Sequence, residues 1–368
     1  MKNEKLIKIL QNFLEIGAYT KGSLFFETLK SGHINETFKV GVGDKNYILQ
    51  RINTRIFPEP QKIMENIETV ATHLESKSYA RSILGFVKTR TGQSLVENNV
   101  QKGVYTEGSS VWRLMPFIDN TYSILKISTE QQAFIAAEAF GEYVSYLSDL
   151  KVNRIHTILP NFHNADFRIQ QHQDALNADD SKKDPSVLRL KKAQNDLNFI
   201  QKHLPYFHNK QLNVPLRVTH NDTKISNILF DKTTHEAACI IDLDTLQTST
   251  LLADFGDMVR TYTSEFDEDF ADFPKIEMRF SYFDALLSGF MKNIHREILN
   301  EEKKALVFGA ERTVFVQALR FMTDYLNNDV YYQTDFDDHN LVRAQNQLAL
   351  FKSILKQRDK MEKLVKKY

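Results

Sequence analysis

The sequence has a single cysteine, Cys239, among 368 residues. One thiol forms no intrachain disulfide and supplies no Cys-rich metal site, so a reducing compartment is the simpler expectation. Net charge is missing too: 47 Lys and Arg balance 47 Asp and Glu. That removes the general reason to expect nucleic acid or an anionic membrane surface as a partner. No segment approaches the roughly 20 consecutive apolar residues of a membrane span. The opening "MKNEKLIKILQNFLEIG" mixes charged and apolar residues and lacks the apolar core of a signal peptide. Internal repeats are absent. These exclusions leave the expectation of a cytoplasmic globular protein with no obligate protein partner, no nucleic acid and no membrane. At about 150 residues per domain, the length fits two domains or lobes.

What the sequence does hold changes texture part-way along. Residues 4–16 keep apolar residues at helical spacing up to Gly17. "SLFFETL", "ETFKVGV" and "NYILQRI" are then short β-rich runs. "GVGDKN", between the last two, carries the Gly and Asp of a tight hairpin. "QKIMENIETVATHLE" puts Ile63, Ile67, Val70 and Leu74 on one helix face. "GFVKT", "GVYTE" and "SSVWRLMPFI" read as further strands. Beyond Phe117 helical patterns dominate. "STEQQAFIAAEAFGEYVSYLSDL" opens with Ser128 and Gln131 at capping-box spacing. "DPSVLRLKKAQNDLNFIQKHL" starts on Asp184 and Pro185, a cap and a first helical residue, after the polar linker "ALNADDSKKD". "FSYFDALLSGFMKNI" and "EEKKALVFGAERTVFVQALRFMTDYL" continue the pattern. "EFDEDFADF" predicts a solvated helix with one apolar face, and "FKSILKQRDKMEKLVKKY" a docked terminal helix. Trp112 and Cys239 read as core. The fold class expected is α+β: a mainly antiparallel, β-rich lobe over 1–117, a hinge near 115–119, and a helical lobe over 118–368.

The chemistry concentrates in "RVTHNDTKISNILFD" and the "EAACIIDLDT" that follows. These read as strand, loop, short strand, turn and strand. Asp222 and Asn227 fall on the loop, and Asp242 at the end of a buried strand. An extended chain would project Asp242 and Asp244 to the same side. Asn227, Asp242 and Asp244 offer oxygen ligands suited to Mg²⁺, which keeps waters and completes its shell with substrate phosphates. Asp222 is left to accept a proton from an attacking hydroxyl, and Lys224 to place positive charge by a transferred phosphoryl group. Plainer readings stand beside these. Asp222 and Asn227 also suit an Asx-rich turn, Asp244 a cap, and Lys224 a solvated surface. His220 reads as a histidine that holds its loop, since Asp222 already supplies the base. In "LLADFGDMVR", Asp254 and Asp257 resemble metal ligands at first sight. Asp254 is expected instead to anchor the catalytic loop from a helix start, where backbone N–H groups are free.

H-x-D-x-K-x-x-N followed by a strand-end Asp resembles the catalytic and metal-binding loops of the protein-kinase-like fold. The helical second lobe and "IDLDT" are more similar to the aminoglycoside phosphotransferase and choline kinase superfamily. Within it, "SGHINETF", the central motif and "LRFMTDYLNNDVYYQ" resemble the N-acetylhexosamine 1-kinases, over roughly residues 24–355. The resemblance implies a two-lobed kinase-like fold that uses ATP and Mg²⁺ to phosphorylate the anomeric C1 hydroxyl of N-acetylglucosamine or N-acetylgalactosamine. It implies Asp222 as catalytic base, Lys224 as phosphate contact, and Asn227 and Asp242 as metal ligands. "LKSGHINETF", with Gly32, would cover the phosphates; backbone groups of Met115, Pro116 and Phe117 would pair with adenine. For the sugar, His33, Asn35, Thr245, Arg320 and Tyr331 offer the required hydrogen bonds, Tyr331 also a stacking face. His33 and Asn35 equally suit shaping the hairpin, and Arg320 a surface ion pair.

Two departures from the family pattern stand out. The phosphate-covering turn has no G-x-G-x-x-G, and Gln50 stands where the fold's nucleotide-binding lysine is expected. Arg51 faces the other way along the strand; Glu65 or Glu68 would be the usual acidic partner. Two rival classes therefore remain. One is a kinase of an aminoglycoside or choline-like amino alcohol, for which Tyr331, Tyr332, Asp324, Asp329, Asp335, Asp337 and Asp338 supply aromatic and acidic groups. The other is a catalytically silent nucleotide-binding module, motivated by Gln50.

Overall fold

The computed structural model describes residues 2–16, 24–29, 34–100, 105, 108–177 and 184–368. Its chain divides into two compact units. The first comprises Met1–Tyr122, Asp149–Leu159 and Leu229–Gln247; the second comprises Ser123–Ser148, Pro160–Ile228 and Thr248–Tyr368. The division is therefore discontinuous, where the sequence suggested one boundary at 117. A single buried side chain accounts for much of this. Asn66 donates to the carbonyls of His156 and Leu246 and accepts the N–H of His156. Both returning segments are thereby tied to the helix that carries it.

In the first unit, β1 (Leu24–Leu29), β2 (Glu36–Val42), β3 (Lys45–Ile52), β4 (Val96–Asn98) and β5 (Ser110–Pro116) form one sheet in the order β1-β2-β3-β5-β4. Every neighbouring pair is antiparallel. Gly43, at φ 59°, makes the β2–β3 turn in the left-handed region where glycine is free of strain. Alternation buries Phe38, Val40 and Val42 on one side of β2. They join Leu49, Trp112 and Leu114, and Leu6, Ile9, Leu10 and Phe13 from the N-terminal segment, in one core.

That segment is helical only over α1 (Lys2–Leu10), shorter than its apolar pattern. The Asn12 amide donates to the Lys8 and Ile9 carbonyls and satisfies the helix end there; Gly17 lies outside the described residues. α2 (Pro60–Ser76) buries Ile63, Ile67, Val70 and Leu74 as expected. "GFVKT" contributes only a bridge from Val87 to Leu114, and β4, unread in the sequence, takes the sheet edge. "GVYTE" lies outside the described residues except for Tyr105. β6 (Thr121–Ser123), β8 (Ile228–Asp231) and β9 (Ala237–Ile240) make a small sheet in the order β6-β8-β9, with Cys239 fully buried.

The second unit is helical. Its helices are α3 (Glu130–Tyr146), α4 (Ala165–Asn177), α5 (Asp184–Phe207), α6 (Leu251–Thr263), α7 (Phe280–Ile294), α8 (Asn300–Leu326) and α9 (His339–Val365). β7 (Arg217–Thr219) pairs with β10 (Gln247–Ser249). The capping box of α3 falls one residue later than read. Thr129 Oγ1 accepts the N–H of Gln132, whose side chain accepts the N–H of Thr129. Helices α3 and α7 meet backbone to backbone: a Cβ on Gly141 would strike the Phe290 carbonyl, and one on Gly289 the Phe134 carbonyl. "EFDEDFADF" is not a helix. Phe266 and Phe270 stack at 3.8 Å, 6° from parallel, out of a turn, and Asp269 pairs with His339 and Arg343. The terminal helix is docked, with Ile354, Met361, Leu364 and Val365 buried. Among the described residues no helix is long and apolar enough to cross a membrane.

Candidate active site

The loop after β7 is built on α6. Asp254, in the first turn of that helix, accepts the N–H of His220 at 3.0 Å and of Asn221 at 2.7 Å. The Thr223 hydroxyl donates to the Asp254 carbonyl, and the Tyr262 hydroxyl to the Thr223 carbonyl. A carboxylate at a helix N-terminus is well placed for this anchoring. Its burial nonetheless pushes Asp254 up to about 6, against the pull of His220 and the two N–H groups. His220 holds the loop as expected: its Nδ1 accepts the Asp222 N–H at 3.2 Å, and its ring stands edge-on to Phe140 at 5.3 Å. Asp257 pairs through Oδ1 with Arg260 at 2.8 Å.

Asp222, Lys224 and Asn227 converge. Lys224 Nζ lies 3.1 Å from Asp222 Oδ1. A 3-10 turn over Ile225–Asn227 brings back Asn227, whose Nδ2 donates to Asp222 Oδ2 at 3.0 Å and to its carbonyl at 2.8 Å. Burial raises the Asp222 carboxyl, but Lys224, His220 and these hydrogen bonds outweigh it and hold the group below its usual range. Asp222 is thus an anion at neutral pH, and its charge in turn raises Lys224. With its NH₂ given to Asp222, Asn227 presents Oδ1 as the acceptor, the atom a hard cation takes.

The same loop touches a second group that sequence reading largely missed. His163, kept neutral by burial that lowers it to about 4, faces the Asn221 carbonyl through Nε2 at 3.2 Å. Its neighbour Phe162 lies 5.6 Å from the Arg320 guanidinium, which also sits over Tyr332 at 5.6 Å and Tyr331 at 6.0 Å. Arg320 and Tyr331 come together as expected, and Arg320 donates to Gln317. Phe162, His163 and Tyr332 complete the cluster. The signal for the first two was the polar-aromatic "LPNFHN" before α4, a helix the sequence pattern did not reveal. Among the described residues no carboxylate lies within ion-pair distance of Arg320.

In the first unit, the segment after β9 departs from the extended reading. Asp242 is exposed and left-handed, at φ 58° and ψ 56°, and Leu243–Thr245 form a 3-10 turn. Strand alternation therefore does not align Asp242 with Asp244. Asp244 is buried: Arg113 Nη1 lies 2.6 Å from Oδ1, and Asn35 Nδ2 donates to Oδ2 at 2.7 Å. Asn35 Oδ1 accepts the Asn53 N–H. Two expected site residues thus meet, each engaging the other. Thr245 sits half-buried on the same turn. Gly32 and His33 lie outside the described residues. At the hinge, Met115 and Pro116 stand opposite Ile48 and Tyr47 in the β3–β5 register. The Phe117 N–H is already donated to the Asn46 carbonyl, so that group is not available to adenine. The acidic residues of α2 also point elsewhere: Glu65 pairs with His156, and Glu68 with Lys88 and Ser94.

No group of three or more His, Cys, Asp or Glu side chains converges among the described residues. Residues 26–273, more than half of the chain, match the phosphotransferase enzyme family. The chain belongs to that family. Solved structures similar to this phosphotransferase include a microcompartment-associated aminopropanol kinase, with 12% identity, 98% of each chain covered and a TM-score of 0.63. A spectinomycin phosphotransferase solved with ADP and spectinomycin gives 13%, 94% of this chain and 98% of that one, and 0.58. A choline kinase from Cryptosporidium parvum gives 13%, 100% and 99%, and 0.55. At these identities the likeness is one of fold, and the phosphotransferase has the kinase-like α+β fold its sequence implied.

Proposed function

We propose that this phosphotransferase moves the γ-phosphoryl group of ATP, with Mg²⁺, onto the anomeric C1 hydroxyl of an N-acetylhexosamine. In this reading Asp222 orients the hydroxyl and takes its proton, and Lys224 places positive charge by the phosphoryl group in flight. Asn227 and Asp242 are the proposed metal ligands; the bound ion supplies charge neutralisation at the phosphate oxygens. Asn35 and Asp244, engaged with each other and with Arg113, act one step behind the ligands.

The observation that carries the acceptor class is the Arg320 cluster. A cationic acceptor calls for free carboxylates or an open aromatic cage. Here Arg320 already lies over the rings of Phe162 and Tyr332. Three acidic residues of the late segment are engaged internally, Asp324 with the N–H groups of Tyr331 and Tyr332, Asp329 with Arg189, and Asp338 with Lys192 and Tyr325, while Asp335 and Asp337 are exposed. A guanidinium donor framed by aromatic faces supports a neutral ring that carries hydroxyl and amide oxygens.

The test is phosphate transfer from ATP and Mg²⁺ to N-acetylglucosamine, N-acetylgalactosamine, free hexoses, kanamycin and choline, with phosphorus NMR of the product. A 1-phosphate on an N-acetylhexosamine is expected. Transfer to kanamycin or choline alone would overturn the acceptor assignment and leave the catalytic loop as read. Absence of any magnesium-dependent ATP turnover would favour a silent module.

A further inference from the structure

Arg113, which the sequence reading passed over, is 2% exposed in β5. A guanidinium does not shed its proton, so a buried one must be neutralised and hydrogen-bonded where it stands. Cross-strand register places Gln50 directly opposite Arg113, and Thr37 directly opposite Gln50. Gln50 Oε1 accepts from Arg113 Nε at 2.9 Å and Nη2 at 2.5 Å, while its Nε2 donates to Thr37 Oγ1 at 2.9 Å. The remaining arm of the guanidinium reaches Asp244, which is 2% exposed and held from its other oxygen by Asn35. Asn35 and Thr37 are two residues apart, at the start of β2. The network therefore closes into a ring, with Phe86 stacked 5.5 Å from the guanidinium.

Two constraints follow. Position 50 must be a neutral acceptor, because an ammonium there would oppose Arg113 across one strand with a single carboxylate to share. Asp244, once fixed, also fixes the Leu243–Thr245 turn and the left-handed Asp242 that starts it. Left-handed backbone is less costly for Asp than for most residues, and the fixed Asp244 two residues on helps to hold it.

We propose that Arg113 is a positioning residue for the metal–nucleotide complex, acting through Asp244 on the backbone of Asp242, and that Gln50 is the neutral partner this arrangement requires. The proposal rests on the reading above in which Asp242 is a metal ligand. It removes the motive for a silent module, since Gln50 is an installed part of the network.

The test uses the full chain in four forms: wild type, Gln50→Lys, Arg113→Gln, and the double variant in which cation and amide trade places. Affinity for ATP is measured by calorimetry with and without Mg²⁺, and melting temperature without ligand. Each single variant should weaken Mg·ATP binding by about tenfold or more, because one half of a buried charged network is left unmatched. Metal-free ATP binding should change far less. The double variant should return to within about threefold of wild type, the non-additivity that direct coupling produces. Should Arg113→Gln fail to fold, Gln50→Met removes the acceptor without adding charge and should shift the Mg²⁺ dependence in the same direction. Tighter Mg·ATP binding by Gln50→Lys would overturn the proposal, as would additive losses in the double variant. A wild type that binds no Mg·ATP would sink the phosphotransferase reading itself. The melts of the four proteins would then decide the network alone, with additivity overturning it.

Discussion

Asp222 is poised by neighbours that favour its charged form, Lys224 and His220 above all, against the opposing effect of burial. Asp222→Asn keeps size and hydrogen bonding but removes the proton acceptor. Turnover should fall by roughly 10²–10⁴ while ATP affinity stays within a few-fold; steady-state rates beside nucleotide titration check both, and retention of most of the rate would show that Asp222 is not the base. This part of the site was legible because its information is local: His220, Asp222, Lys224 and Asn227 fall within one loop. The anchoring by Asp254 was legible for a similar reason, since a carboxylate at a helix start has few other uses. The Asn35–Asp244 contact joins residues 209 apart, and no spacing rule reaches that far. The left-handed turn at Asp242 was hidden because the apolar run before it reads as a strand that continues, whereas β9 ends at Ile240.

At the level of elements, the packing of α3 on α7 depends on Gly141 and Gly289, each lying against the other helix's backbone. Gly289→Ala adds a methyl group where a carbonyl already stands. The gain in helix propensity is at most about 1 kcal/mol, while overpacking at a backbone contact costs typically 1–3 kcal/mol. A net loss of stability is expected in denaturant melts, and unchanged stability would mean the helices shift apart freely. The strong periods were readable: the β2–β3 hairpin, α2 and α7 fall where alternation and helical stripes put them. "EFDEDFADF" misled because Phe266 and Phe270 are four apart, the spacing of a helical stripe, yet stack face to face out of a turn. The capping box of α3 slipped by one because Ser128 and Thr129 are both good caps, with glutamines at both matching positions. Only the fold decides between such neighbours.

For the molecule as a whole, stability should fall on the acid side. His172 is 1% exposed, contacts Thr323 Oγ1, and is lowered by burial to about 4 from 6.5. A depressed histidine contributes stability that is present above its unfolded value and lost as pH falls through the folded one, a window from 6.5 to about 4 and up to roughly 3 kcal/mol. Buried Asp254, raised to about 6, acts in the opposite sense: its contribution is full below 3.8 and lost as pH rises through 6. With His163 lowered alongside His172, the histidines dominate. His172→Asn should therefore lose less melting temperature than wild type between pH 7 and pH 5, and equal losses would place the acid sensitivity elsewhere. Asn66→Leu tests the discontinuous first unit: removing three hydrogen bonds and leaving the His156 and Leu246 groups unmatched should destabilise by roughly 1–3 kcal/mol, read as a lower midpoint in urea. That same discontinuity sets a timetable for synthesis. Residues up to Tyr122 leave the ribosome before the strand and turn around Leu229–Gln247 exist, a lag of roughly 6–25 s at ordinary elongation rates. During that interval the nascent sheet carries Arg113 without Asp244, and Asn66 gains its His156 partner well before Leu246. Vectorial folding of this phosphotransferase therefore cannot finish its first unit first; the N-terminal part must wait, incompletely neutralised, for most of the chain to be made.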